Sequence, residues 1–383
     1  MPTTITYVIP TRNRQGDLSR TLTALGRMGR HDAEVVVVDN ASATRPHIAG
    51  CLDNGVPVGL IQREHNDGAA ARNVGARVAA GEWIVMLDDD SHPTCDAETL
   101  LSILQRQPAS VGAVMADIRL PAADQREAGG LPEVFIGCGV AMRRQVFLEL
   151  GGYDPAFGFY AEEYDLAARM LLDGLRIVFE PRFTVDHRKV TAGRDMDLIL
   201  HRLVRNNGWV MQRYAPQACR RHELREVRRR YRAIAARESA LAGFGRGLVE
   251  LRHSLPAQPR RTMTDPVFAR FTGLAAARQA LAIAIADTRP RTAALIEQGK
   301  NARVVARALA ELGVQVLDPT RSPSEADVSV VATLSPGPMI DAAMRHRAEI
   351  DAGRVLLPWR AALATIHAAK VPQRQAARIL PAA

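Results

Sequence analysis

The run Trp83-Ile-Val-Met-Leu87, followed at once by Asp88-Asp89-Asp90, constrains the fold more than any other feature of this chain. An apolar run without alternation is what a strand buried on both faces requires, and such strands belong to parallel sheets covered by helices. Glu34–Val38 is a second run of this kind and ends on Asp39-Asn40. Helical periodicity separates the strands. Leu18, Leu22 and Leu25 follow an apolar Thr4–Ile9, a helix is expected over Ile48–Leu52 before strand-like Val58–Ile61, and Gly68–Ala80 is an Ala-rich helix. Leu100–Leu104 continues as helix and Val111–Ala116 as strand. The alternation predicts an α/β fold, a Rossmann-like, mostly parallel mixed sheet flanked by helices with right-handed crossovers. Ligands in such sheets bind beyond the carboxyl ends of the strands, which singles out Pro10–Arg14, Asp39–Ser42, Asn66–Gly68 and Asp88–Asp90.

Further along, Asp117–Pro132 is rich in Pro, Gly, Ala and charge and reads as a flexible loop. Phe135–Met142 is expected as strand, Glu163–Leu172 as helix and Ile177–Phe179 as strand. From Asp195 to about Arg252 the pattern is helical and basic, and Pro256–Pro266 reads as a linker. The tail has its own α/β rhythm: helix Asn301–Leu312 closed by Gly313, strands Val314–Leu317 and Val328–Val331, helix Met339–Ile350 and strand Arg354–Leu357. It carries no G-x-G-x-x-G fingerprint, so nothing supports a dinucleotide there. The expected organisation is a catalytic domain over 1–193, a basic helical section and linker over 194–262, and a small α/β accessory domain over 263–383.

Composition narrows the class. Hydrophobic residues make up 47% and charged residues 24%, ordinary for a globular protein. No apolar run approaches the roughly 18 residues of a membrane span. The Met-Pro-Thr-Thr start lacks a charged leader region, and Cys51, Cys95, Cys138 and Cys219 are scattered without C-x-x-C spacing. A reducing, cytoplasmic setting is therefore expected, on its own or against the inner membrane face. The net charge of +9 concentrates between Arg194 and Arg261, with clusters at Arg220–Arg221 and Arg228–Arg230. Nucleic acid is not an expected partner. Leu198, Leu203, Val204, Trp209 and Val210 among those arginines suit peripheral contact with anionic lipid or a lipid phosphate, or packing against the catalytic domain or a second copy of the chain.

Five local patterns carry chemistry. Asp88-Asp89-Asp90 at a strand end brings together carboxylates that repel one another, and a hard divalent cation with oxygen ligands relieves the repulsion; the alternative is an acidic turn before the helix near Asp96. Asp39 after its buried strand suits a base or ribose, or else initiates an Asx turn. In Asn66-Asp-Gly-Ala-Ala-Ala-Arg72-Asn73 small residues let a helix N-terminus approach an anion, and Arg72 adds charge, although a packed Ala-rich helix needs no more explanation than its composition. Glu162-Glu163 opens a helix and offers a general base, or only acidity favoured by the helix dipole. Asp165 and Arg169, at i and i+4, read as a structural ion pair. His187, in Val185-Asp-His187, is a structural histidine unless a metal site adjoins it.

In order along the chain, Val8-Ile-Pro10-Thr11-Arg12-Asn13, Val36-Val-Val-Asp39-Asn-Ala-Ser42, Asn66 to Asn73, Leu87-Asp-Asp-Asp90, Gly151-Gly-Tyr-Asp154, Glu162-Glu163-Tyr-Asp-Leu and Val185-Asp-His187 resemble the family-2 inverting glycosyltransferases of the GT-A fold. The resemblance covers about residues 4 to 190. It implies that Pro10, Thr11, Arg12, Asp39, Asn66, Arg72, Asp88 and Asp89 surround the nucleotide, with Asp39 on the base. It implies that Asp88 and Asp90 form the D-x-D pair around Mn²⁺ or Mg²⁺, with Asp90 the more direct ligand and His187 completing the site. Glu163 stands where the family commonly keeps its catalytic base, with Glu162 before it. Many members have Glu-Asp there, so the glutamate pair is a departure. The implied donor is a UDP- or dTDP-linked sugar and the acceptor a hydroxyl. Two other readings are a sugar-nucleotide-binding scaffold without activity and a sugar-phosphate nucleotidyltransferase. Pro10-Thr-Arg-Asn-Arg14, in place of a Gly-rich loop after the first strand, argues against the latter.

Overall fold

The computed structural model describes residues 4–189 and 194–368. Residues 1–3, read above for a leader, and 190–193, where the catalytic stretch was expected to end, lie outside the described residues. The chain forms two compact units, one up to Thr272 and one from Gly273.

The first unit is built on β1 (Ile5–Thr11), α1 (Gln15–Gly26), β2 (Ala33–Asp39), β3 (Val58–Gln62), α2 (Ala71–Val78), β4 (Trp83–Met86), β5 (Ser91–Pro93), α3 (Ala97–Gln105), β6 (Val111–Leu120), β7 (Gln125–Arg126), β8 (Val140–Arg143), α4 (Arg144–Glu149), α5 (Glu162–Leu172) and β9 (Arg176–His187). The strands lie in the order β3-β2-β1-β4-β8-β6-β9-β5, with β7 paired to β6. β1 to β4 run parallel, β8 opposes β4 and β6, and β9 runs parallel to β6. This is the mostly parallel mixed sheet that the sequence predicts.

Both faces are covered. Val35 and Val37 join the larger core with Leu18, Leu25, Leu100 and Leu104, whereas Val36 and Val38 pack with Ala71 and Val74. The four-valine run thus feeds two cores, the reason β2 shows no alternation. α2 lies so close to the sheet that a Cβ on Gly75 would come 2.6 Å from Val8 Cγ1.

Three expectations are corrected. Residues 48–52 are not helical: Cys51 bridges to Pro57 in an irregular turn, which Pro46, Gly50 and Gly55 favour. Residues 135–139 precede the strand rather than belonging to it. The stretch 117–132 is not simply a loop, because β6 continues to Leu120 and turns back through β7, bringing Glu127 inside.

The basic section folds as α6 (Met196–Tyr214), α7 (Arg220–Arg237) and α8 (Leu241–Ser254), followed by α9 (Asp265–Thr272), and belongs to the first unit. Leu200, Val204, Tyr231, Ala235 and Phe244 form its core, and Trp209 and Val210 are buried as well. Of the apolar residues considered for lipid contact, Leu198 is the one left exposed. No described helix is long and apolar enough to cross a membrane.

The second unit holds α10 (Leu274–Ala284), β10 (Thr292–Ile296), α11 (Ala302–Glu311), β11 (Gln315–Val316), β12 (Val328–Val331), α12 (Pro336–Arg345), α13 (Arg347–Asp351), β13 (Val355–Leu356) and α14 (Arg360–Ala368). Its sheet is wholly parallel, in the order β11-β10-β12-β13. The single helix expected over Met339–Ile350 breaks at His346 into α12 and α13.

Candidate active site

The carboxyl ends of β1, β2 and β4 bring Thr11, Asp39 and the Asp88–Asp90 turn together, as the parallel register dictates. Asp39 is buried, and its Oδ1 accepts the Ser42 backbone N–H at 3.0 Å, an Asx turn. Asn40 reaches across to 66–68: its Oδ1 accepts from the Asp67 N–H at 2.7 Å and its Nδ2 donates to the Gly68 carbonyl at 3.0 Å. Asn66 Oδ1 closes the same turn by accepting the Gly68 N–H at 3.0 Å. Pro10 is half-buried, and exposed Arg12 donates from Nε to the Ala41 carbonyl at 3.3 Å. Asp39, Asn66, Pro10 and Arg12 therefore share one rim.

The three aspartates have different surroundings. Asp89 is buried, accepting from Thr11 Oγ1 at 2.9 Å and from Arg14 at 2.8 Å. Burial pushes its carboxyl up to about 7 against the pull of Arg14 and Thr11. Asp90 is buried too, with Arg14 at 2.8 Å and His187 Nε2 at 3.3 Å. Asp88 is the accessible one, its side chain 37% exposed, and it pairs with the buried Arg72 guanidinium. Arg72 also donates to the Leu87 carbonyl at 3.2 Å, while its Nε has no partner.

His187 reaches this turn because β9 pairs with β5, setting it opposite Ser91. Its Nδ1 lies 2.9 Å from Glu127 and 3.6 Å from Cys138 Sγ, and Glu127 also accepts from Lys189 at 2.6 Å. Burial pulls the imidazole down, yet Cys138, Asp90 and Glu127 outweigh it and raise the group to about 12. A half-buried imidazole set between two buried carboxylates, Asp90 and Glu127, marks surroundings suited to a cation. Asp88, Cys138 and His187 offer ligand atoms that all lie within 4.8 Å of one another. These residues fit a divalent metal.

Glu162 and Glu163 open α5 after two left-handed residues, Tyr160 (φ 73°) and Ala161 (φ 67°). Such backbone costs on the order of 1–3 kcal/mol per residue unless its surroundings enforce it. α6 supplies the enforcement: buried Asn206 donates to the carbonyls of Phe157, Phe159 and Tyr160 at 3.0, 2.9 and 2.7 Å. Glu162 is buried, and its Oε2 has no partner. Glu163 is half-buried, and a Cβ on Gly137 would sit 3.3 Å from its Oε1. Burial raises both carboxyls, Glu163's charge adds to the effect on Glu162, and Arg72 opposes it in both. Asp165 pairs with Arg169 at 2.7 Å, as their spacing predicts.

Sequence reasoning missed Cys138, Glu127 and Lys189, and it singled out Arg14 only as the end of the Pro10–Arg14 segment, without a role. Lys189 stands two residues beyond His187 and so sat beside a residue already singled out. Glu127 lay in a stretch without apolar periodicity, and Cys138 was weighed only for disulfide or zinc spacing.

Residues 6–126 match the family described as Glycosyl transferase family 2. An uncharacterized glycosyltransferase of Haemophilus influenzae is 27% identical over 47% of this chain and 64% of its own length. The glucosyl-dolichyl phosphate glucuronosyltransferase of Haloferax volcanii is 26% identical over 44% of this chain and 63% of its own. The chain thus spans less than two thirds of the length of these curated relatives. Among solved structures, the mannosyltransferase PcManGT of Pyrobaculum calidifontis, in complex with GDP-Man and Mn²⁺, is 20% identical with a TM-score of 0.45, covering 74% of this chain and 81% of that one.

Proposed function

From the match of residues 6–126 to glycosyl transferase family 2, we propose that the chain is an inverting glycosyltransferase moving a sugar from a UDP- or dTDP-linked donor to an acceptor hydroxyl. The observation that carries this reading is the 137–139 segment. Gly137 stands against Glu163, and Cys138 stands against His187, so one short segment adjoins both the candidate base and the candidate metal-binding histidine. The charge of Asp88 also contributes to raising Glu163.

Asp39, Pro10, Arg12 and Asn66 frame the nucleoside, with Thr11 and Asp89 locked together beneath it. Asp88, Asp90 and His187 would hold Mn²⁺ or Mg²⁺, which supplies charge neutralisation at the diphosphate leaving group. Arg72, buried and one donor short, supplies a further positive charge. Glu163 takes the proton of the acceptor hydroxyl, and its raised carboxyl makes it a stronger base once ionised. The acceptor oxygen attacks the anomeric carbon opposite the diphosphate, and a single displacement inverts the centre. Glu162, more deeply buried, is held further toward its protonated form by burial and by the charge of Glu163. Both a scaffold reading and a nucleotidyltransferase reading leave the placement of Glu163 unused.

The test is Glu163→Gln. We expect turnover to fall by about 10²- to 10⁴-fold with nucleoside-diphosphate binding retained; full transfer by this variant removes the assignment. For the partner surface, we propose that α7 touches anionic lipid through exposed Arg221, Arg225, Arg228, Arg229, Arg230 and Arg232. Equal flotation with neutral and anionic liposomes would exclude that.

A further inference from the structure

The reading above gives the cation oxygen and nitrogen donors only. We propose that Cys138 is a further ligand, binding as thiolate, and that the centre is a mixed oxygen, nitrogen and sulfur site. The proposal rests on the transferase reading for the presence of a cation and departs from it in the donor set.

The geometry comes first. The Asp88, Cys138 and His187 ligand atoms lie within 4.8 Å of one another, and Cys138 Sγ is 3.6 Å from the nearer ring nitrogen of His187. The 3.6 Å contact is that of a thiol–imidazole hydrogen bond and sets the two side chains next to each other, and the 4.8 Å limit on all three ligand atoms is what groups them around one position. Ligation through Nε2, the nitrogen on the Asp90 side, leaves Nδ1 to Glu127 at 2.9 Å, a carboxylate that would orient the ring. Such outer carboxylates are the usual companions of metal-bound histidine.

The thiol is also held in place. A Cβ on Gly139 would come 2.7 Å from Ile118 Cγ1, and one on Gly137 would come 3.3 Å from Glu163, so this segment threads a narrow gap with Cys138 at its centre. A cysteine that merely filled volume would meet apolar neighbours throughout. Cys138 borders the apolar core on one side and touches an imidazole on the other.

Binding breaks the S–H bond. The sulfur electron pair goes to the cation and the proton leaves to solvent, so metal uptake releases a proton from Cys138. A donor set with one thiolate and one imidazole favours softer cations over Mg²⁺. The site would take Zn²⁺, Co²⁺ or Cd²⁺ more tightly than Mn²⁺, and Mg²⁺ least of all.

Titration of the metal-free full chain with Cd²⁺ alone tests this. We expect a near-ultraviolet thiolate-to-metal absorption that saturates at one equivalent. Cys138→Ser should remove it and weaken Cd²⁺ binding at least about tenfold, and Cys95→Ser should keep it. Absence of the band, or its persistence in Cys138→Ser, overturns the proposal. Should Cys138→Ser fail to fold, ¹¹³Cd resonance of the unaltered chain decides: a shift characteristic of one sulfur ligand supports thiolate binding, and a shift of oxygen and nitrogen alone overturns it. The band needs no nucleotide. A band in a chain that binds no nucleoside diphosphate keeps the thiolate and removes the transferase reading, and nucleotide binding with Mn²⁺ but no band does the reverse.

Discussion

Glu162 and Asp165 lie three residues apart in the first turn of α5, both buried, and they have opposite surroundings. Asp165 accepts from Arg169 and Arg213 at 2.7 and 2.8 Å and from the Tyr214 hydroxyl at 2.7 Å. Glu162 has an oxygen with no partner and a like charge beside it in Glu163. The fold can surround a buried carboxylate with cations, and at Asp165 it draws them from both α5 and α6. At Glu162 it does not. An under-compensated buried acid lowers stability, and such costs concentrate where a ligand is to be met. Arg213 also pairs with Asp154 at 2.8 Å, so the satisfied acid ties α6 to the loop that aims the unsatisfied one.

The largest effect expected from this contrast is at Asp165. Asp165→Ala leaves buried Arg213 and half-buried Arg169 short of a partner, and breaking a buried pair in this way costs about 3–5 kcal/mol. Urea denaturation measures it, and a loss below about 1 kcal/mol would erase the distinction between the two acids. Asp88→Asn is expected to act mainly on binding. Its carboxylate is partly exposed but is the charge partner of the buried Arg72 guanidinium, so the unfolding midpoint should fall by less than for Asp165→Ala. Affinity for Mn²⁺ and for a nucleoside diphosphate should fall about 10- to 100-fold, or roughly 1.4–2.7 kcal/mol. Unchanged affinity by calorimetry would move the site away from this turn.

The sheet was legible because its signal is local. Apolar runs at 34–38 and 83–87 can be satisfied only by burial on both faces, and the polar residues after them had to emerge at one edge. The Asp165–Arg169 pair was legible for the same reason, since helical spacing alone makes them neighbours. The Glu127–His187–Cys138 cluster was not. It is assembled from segments 60 and 49 residues apart by the pairing of β9 with β5 and β6, and no local period encodes that register. The role of α6 was hidden likewise: Asn206 is an ordinary helix residue until the carbonyls of Phe157, Phe159 and Tyr160 are seen against it.

The smallest effect, and the one that tests the contrast most directly, is at Glu162. Burial first, and the charge of Glu163 second, hold its carboxyl well above the usual range. A group raised in this way favours its protonated form in the folded state. Its stabilising contribution is complete below the unfolded value of about 4.3 and is lost as pH rises through the folded value. The contribution of Glu162 to the native stability of the metal-free chain should therefore decline from about pH 4.3 upward. Glu162→Gln cannot ionise, so it should flatten part of that decline and leave the chain about 0.5–2 kcal/mol more stable at neutral pH, the gain typical of relieving a functional site. Urea titrations at a series of pH values give the two slopes. Equal slopes would mean that Glu162 is compensated as fully as Asp165, and the difference between the two acids would then lie in the helix turn alone.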